Sequence, residues 1–128
     1  MGRMEHEGAL NPKLSETWKA LKSALARDLA EYQQQFGLYY LDTEETGSNS
    51  FWIMFQEGSD RFTGRRDIQI RVDFENCELA IAVVQGLTNS RFKIVADAEG
   101  NLFFERNEKR YAVKEMSREI LRFHLSKL

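Results

Sequence analysis

From Leu14 to Phe36 the apolar positions recur at steps of three and four: Leu14, Trp18, Leu21, Leu25, Leu29, Tyr32 and Phe36. Lys19, Lys22, Arg27, Asp28 and Glu31 fall on the remaining faces, so the pattern predicts an amphipathic helix with one apolar stripe. Asn11 can cap free N–H groups, and Pro12 suits the first helical position. Gly37 stands where a left-handed residue ends a helix. Such a helix is ~36 Å long at ~1.5 Å per residue. Residues 1–10 carry no apolar period and read as a mobile lead to a single domain over 11–128.

After Gly37 the period falls to two, the repeat of a strand. Short strands are predicted over 38–42 and 51–57, joined by a polar loop at 44–49. A longer loop spans 58–66. Residues 67–74 then alternate strictly, with Ile68, Ile70, Val72 and Phe74 on one side and Asp67, Gln69, Arg71 and Asp73 on the other. The answering strand over 77–85 sets Val72 against Leu79, Ile70 against Ile81 and Ile68 against Val83. A slip of one residue would turn all of these outward, so the apolar match specifies the register. Asp97-Ala98-Glu99-Gly100 suits a type I turn with a left-handed glycine, which pairs Ile94 with Phe104 and Lys93 with Glu105. Asn107-Glu108 makes the last turn, pairing Phe104 with Tyr111 and Glu105 with Arg110. A closing helix over 114–128 turns Met116, Ile120 and Phe123 to one face, widened by Leu121, Leu125 and Leu128.

Helices flanking a run of strands imply an α+β fold: a long N-terminal helix, a curved antiparallel meander of six or seven strands, and a C-terminal helix. Of the 128 residues, 42% are hydrophobic and 12% aromatic, enough for a packed core, and one domain is the natural count. The net charge of −2 gives no general attraction to polyanions, so neither a membrane surface nor nucleic acid is an expected partner. No apolar stretch approaches the ~20 residues of a membrane span. Cys77 is the single cysteine, too few for an internal disulfide or a thiolate zinc site. With no secretory leader pattern, the cytoplasm is the expected compartment.

The chain carries no catalytic motif with a defined spacing. His124 is the one histidine outside the lead, and it has no partner in sequence to make it a general base. Asp42-Thr43-Glu44-Glu45 lacks the alternating spacing and turn glycine of a calcium loop. Asp67, Asp73, Glu75 and Glu78 read as the wet side of a sheet, and Cys77 as a small apolar filler. No cofactor or metal is expected.

Two features stand out. The loop around Gly58, Ser59, Arg61, Thr63, Gly64, Arg65 and Arg66 combines backbone freedom with guanidinium forks, which suits phosphate or carboxylate. The second is apolarity on both sides of the strands. If Phe51, Ile53 and Phe55 face the helices, then Trp52 and Met54 point away, as do Ala80, Ala82, Val84, Val95 and Phe103. A sheet face left to water is polar, so this face is expected to be covered by the terminal helix, a second copy of the chain, another protein, or the far wall of a cavity.

The resulting expectation is a non-catalytic binding or adaptor module that presents a sheet face or loop to a protein partner, itself in a homodimer or another protein. In size, acidity and helix–strands–helix order the chain resembles small secretion-type chaperones, although those carry a helix between their middle strands where this chain has Gly86-Leu87-Thr88-Asn89-Ser90. Two alternatives stay open. One is a small-ligand binder or enzyme with a cavity between sheet and helix, lined by Tyr39 or Tyr40, Arg71 and His124. The other is an anion or nucleic-acid binder using Arg61, Arg65, Arg66, Arg71 and Arg91.

Overall fold

The structure is a computed structural model describing residues 2–36, 40–56, 65–83 and 89–125, with the side chains of 2–11, 36, 65, 66 and 123–125 outside that description. Helix α1 spans Gly2–Phe36. Seven strands follow, β1 Tyr40–Glu45, β2 Ser50–Gln56, β3 Arg65–Asp73, β4 Glu78–Val83, β5 Asn89–Ala96, β6 Leu102–Arg106 and β7 Lys109–Tyr111, and helix α2 runs over Val113–Leu125. The strands form one sheet in chain order, antiparallel throughout. This is the α+β meander expected from the periodicity.

The predicted registers hold: Val72 lies against Leu79, Ile70 against Ile81 and Ile68 against Val83. Ile94 pairs with Phe104, Lys93 with Glu105, and Phe104 with Tyr111. In the β5–β6 turn Gly100 has φ 86° and its N–H donates to the Asp97 carbonyl at 3.0 Å. Several boundaries differ from expectation. The helix begins at Gly2, not at Asn11-Pro12, and holds Pro12 in its interior. Proline's φ matches the helix, but an interior proline loses one N–H bond and its ring crowds the carbonyl four residues back. Strand β1 takes in Glu44 and Glu45, which the sequence assigned to a loop. An edge strand tolerates charge facing water, and Glu45 also pairs with Lys22 of α1 at 2.7 Å.

Both helices pack on the same face of the sheet. Leu14, Trp18, Leu21, Leu25 and Leu29 of α1 and Met116, Ile120 and Leu121 of α2 join Phe51, Ile53, Phe55, Ile68, Ile70, Val72, Leu79, Ile81, Phe92, Ile94 and Phe104 in one buried core. The two helices touch each other, and buried Ser117 donates to Asp28 Oδ2 at 2.7 Å. At the start of α2 the Ala112 N–H donates to Glu115 Oε1 at 3.3 Å, half of a capping box. With α2 committed to the core, it does not cover the far side of the sheet.

Candidate functional site

Strand register sorts the residues of the open face into rows that cross the sheet. One row reads Glu44, Trp52, Gln69, Ala82, Asn89, and the next reads Ser50, Arg71, Ala80, Arg91. Beyond it lies Asp73, Glu78, Lys93, Glu105, Arg110. Asp42, Met54 and Asp67 form a row on the opposite flank, while Val95 sits beside Phe103 at the far corner. Successive rows are about 7 Å apart and neighbouring strands about 4.8 Å.

Trp52, Met54, Ala80, Ala82, Val95 and Phe103 are all half-buried on this face, and Val84 lies outside the described residues. They do not form one continuous patch. Gln69 and Arg71 separate Trp52 from the two alanines, and the charged row separates the alanines from Val95 and Phe103. Two hydrogen bonds fix part of the surface. The Trp52 indole N–H donates to Thr46 Oγ1 at 3.1 Å, and the Gln69 amide donates to Ser50 Oγ at 3.1 Å. Ser50 is buried.

Charges on this face are treated unequally. Glu105 and Arg110 pair at 3.0 Å, and Lys93 stands between Glu78 and Glu105. Arg71 and Arg91 are exposed, and among the described residues neither makes an ion pair or a side-chain hydrogen bond. Beside Arg91 the β5–β6 pairing stops at Lys93 opposite Glu105. The strands part there around a groove of about 310 Å³ lined by Glu78, Arg91, Phe92, Lys93, Glu105, Arg106 and Asn107. The Arg106 guanidinium lies 5.6 Å from the centre of the Phe92 ring.

The arginine-rich loop is only partly visible. Gly58, Ser59, Arg61, Thr63 and Gly64 lie outside the described residues. Arg65 and Arg66 belong to β3, opposite Gln56 and Phe55, and not to the loop as expected. The cavity reading fares differently. Tyr40 and Arg71 are exposed on the open face, not beneath the helices, and Tyr39 and the His124 side chain are outside the description. Under α2 a space of about 20 Å³ lined by Ile81, Ser90, Phe92, Met116 and Ile120 has room for about one water. A larger groove of about 510 Å³ runs along α1 past Trp18, Lys22, Glu45 and Ser48. Its floor is already engaged: Trp18 donates to the Ser48 carbonyl at 3.0 Å, and Lys22 sits 5.4 Å from the Trp18 ring centre.

Among the described residues no three or more His, Cys, Asp or Glu side chains are grouped to hold a metal, and no helix is long and apolar enough to cross a membrane. Cys77 is half-buried against the core at φ 51°, the last residue of the β3–β4 turn. The chain matches no protein-family model, no curated protein and no solved structure.

Proposed function

We propose that this chain is a non-catalytic binding module, working in the cytoplasm, whose open sheet face seats a protein partner. The observation behind this reading is the placement of both helices on one side of the sheet, which leaves Trp52, Met54, Ala80, Ala82, Val95 and Phe103 half-buried on a side that no described element covers. Tryptophan and arginine are the side chains that contribute most at protein interfaces, and this face carries one tryptophan and two arginines that make no ion pair among the described residues. Ala80 and Ala82, near the centre of the sheet, let a neighbouring chain approach closely. A second copy of the chain is the first occupant to test, because two-fold pairing is the commonest way such a face is buried. A different protein is the second.

Photo-crosslinking tests the reading. A benzophenone side chain at Ala82 is expected to form one defined adduct, with the purified chain or in cells that express it, and the same group at exposed Glu31 of α1 is not. Equal adducts from both positions, or none from position 82 in either setting, would overturn it.

A further inference from the structure

We infer that Arg71 and Arg91 form a clamp for one carboxylate, presented by an acidic residue of the protein seated on the open face. The inference rests on the open-face reading and supplies its recognition chemistry. The two arginines flank Ala80 in a single row. Their backbones are therefore about 10 Å apart, two strand spacings. Both side chains are long enough to lean over the alanine methyl and meet on one small anion. Ala80 is the only residue that separates them in that row.

Two exposed cations at this spacing repel only weakly in water, and an anion that both can reach is attracted by the two together. The other cations of the face have anions beside them: Arg110 holds Glu105 at 3.0 Å, and Lys93 lies between two glutamates. Arg71 and Arg91 have no carboxylate in their own row and make no ion pair among the described residues. Guanidinium forks match the two oxygens of a carboxylate and bind it bidentately. The groove of about 310 Å³ beside Arg91 gives the rest of the incoming side chain a place to lie.

The surroundings select the anion. Asp73 and Glu78 occupy the adjoining row, and Asp67 lies two rows away on the other side. A singly charged carboxylate is repelled less by these groups than a doubly charged phosphoryl group or a phosphate backbone is. The clamp therefore fits an acidic protein segment better than a nucleic acid.

The test reads the arginine Nε–Hε signals by NMR during titration with sodium acetate and, separately, inorganic phosphate. Single chains are used, diluted until light scattering gives the monomer mass. With acetate the Arg71 and Arg91 signals are expected to move along one shared saturation curve while that of Arg110 stays in place. Arg71→Gln is expected to weaken the response of Arg91 about ten-fold, since half of the donors are gone. Independent responses at Arg71 and Arg91, or a linear drift shared by every arginine, would refute the clamp. Phosphate binding ten-fold tighter than acetate would refute the carboxylate assignment. Because the titration uses one chain and a small ion, the clamp can fail while crosslinking at position 82 succeeds, and the reverse.

Discussion

Glu108 sits at φ 66° and Asn107 at φ 52°, both left-handed, in the two-residue turn between β6 and β7. Primed turns of this kind match the twist of a hairpin and favour glycine at the second position. Asparagine tolerates that backbone and glutamate does not, so Glu108→Gly is expected to stabilise the protein by about 0.5–1 kcal/mol. Urea denaturation checks it, and a loss of stability would contradict the turn geometry. Asp73 governs the β3–β4 turn. Its carboxylate accepts the Asn76 amide at 2.8 Å and the backbone N–H groups of Asn76 and Glu75 at 3.1 and 3.0 Å. The Asn76 side-chain donor, followed by these backbone donors, holds its pKa below the ordinary carboxylate value. A depressed folded pKa contributes stability above the unfolded value, near 3.9, and that contribution is lost as pH falls through the folded one. Asp73→Asn keeps an acceptor oxygen but cannot titrate. The wild type is therefore expected to be the more stable at neutral pH, with the gap closing on acidification to about pH 2. A gap that widens with acid would reverse the sign and refute the assignment.

At the scale of elements, the parts that could be read from the sequence were those where side chains meet a matching partner. The β3–β4 and β5–β6 registers follow from apolar residues that must all face inward together, and Gly100 announces its own turn. Boundaries set by backbone were harder to read. Neither Glu108 nor Cys77 advertises a left-handed turn position, and Pro12 looked like a helix start because proline is commonest there. The neighbours of Trp52 depend on the β2–β3 register, and the loop joining those strands is too long to pin it. The pairing of Ser117 with Asp28 joins residues 89 positions apart, and no local pattern links them. Two predictions belong at this scale. Ala112 precedes α2 without an acceptor of its own while Glu115 already bonds back to its N–H. Ala112→Ser completes the capping box and is expected to add about 1 kcal/mol, with an unchanged melting curve counting against it. The described core contacts of α1 begin at Leu14, so removing residues 1–10 is expected to change stability by less than about 0.5 kcal/mol. A loss several times larger would show that the first turns of α1 dock on the domain.

For the molecule as a whole, the two tryptophans report on opposite sides of one sheet. Trp18 is 3% exposed in the core between α1 and the strands, while Trp52 is half-buried on the open face. Trp18→Phe leaves Trp52 as the only indole and so turns fluorescence into a probe of that face alone. The face has both apolar side chains and charges of either sign, an arrangement suited to a partner that pairs the charges as it covers the apolar groups. A second copy of the chain offers carboxylates and arginines from the same rows. On this account the Trp18→Phe emission band is expected to shift to shorter wavelength as the protein is concentrated into the tens of micromolar, as water leaves the indole. Light scattering should show the mass doubling over the same range. Added salt is expected to weaken the association, because part of it comes from ion pairs near the surface. Trp52→Glu places a charge in the contact and should give a folded monomer, its circular dichroism matching the wild type. A monomeric wild type with an unmoved Trp52 band would remove the second copy as occupant and leave a different protein for the open face. Unfolding of Trp52→Glu would mean that the indole is needed for the sheet itself, through its bond to Thr46.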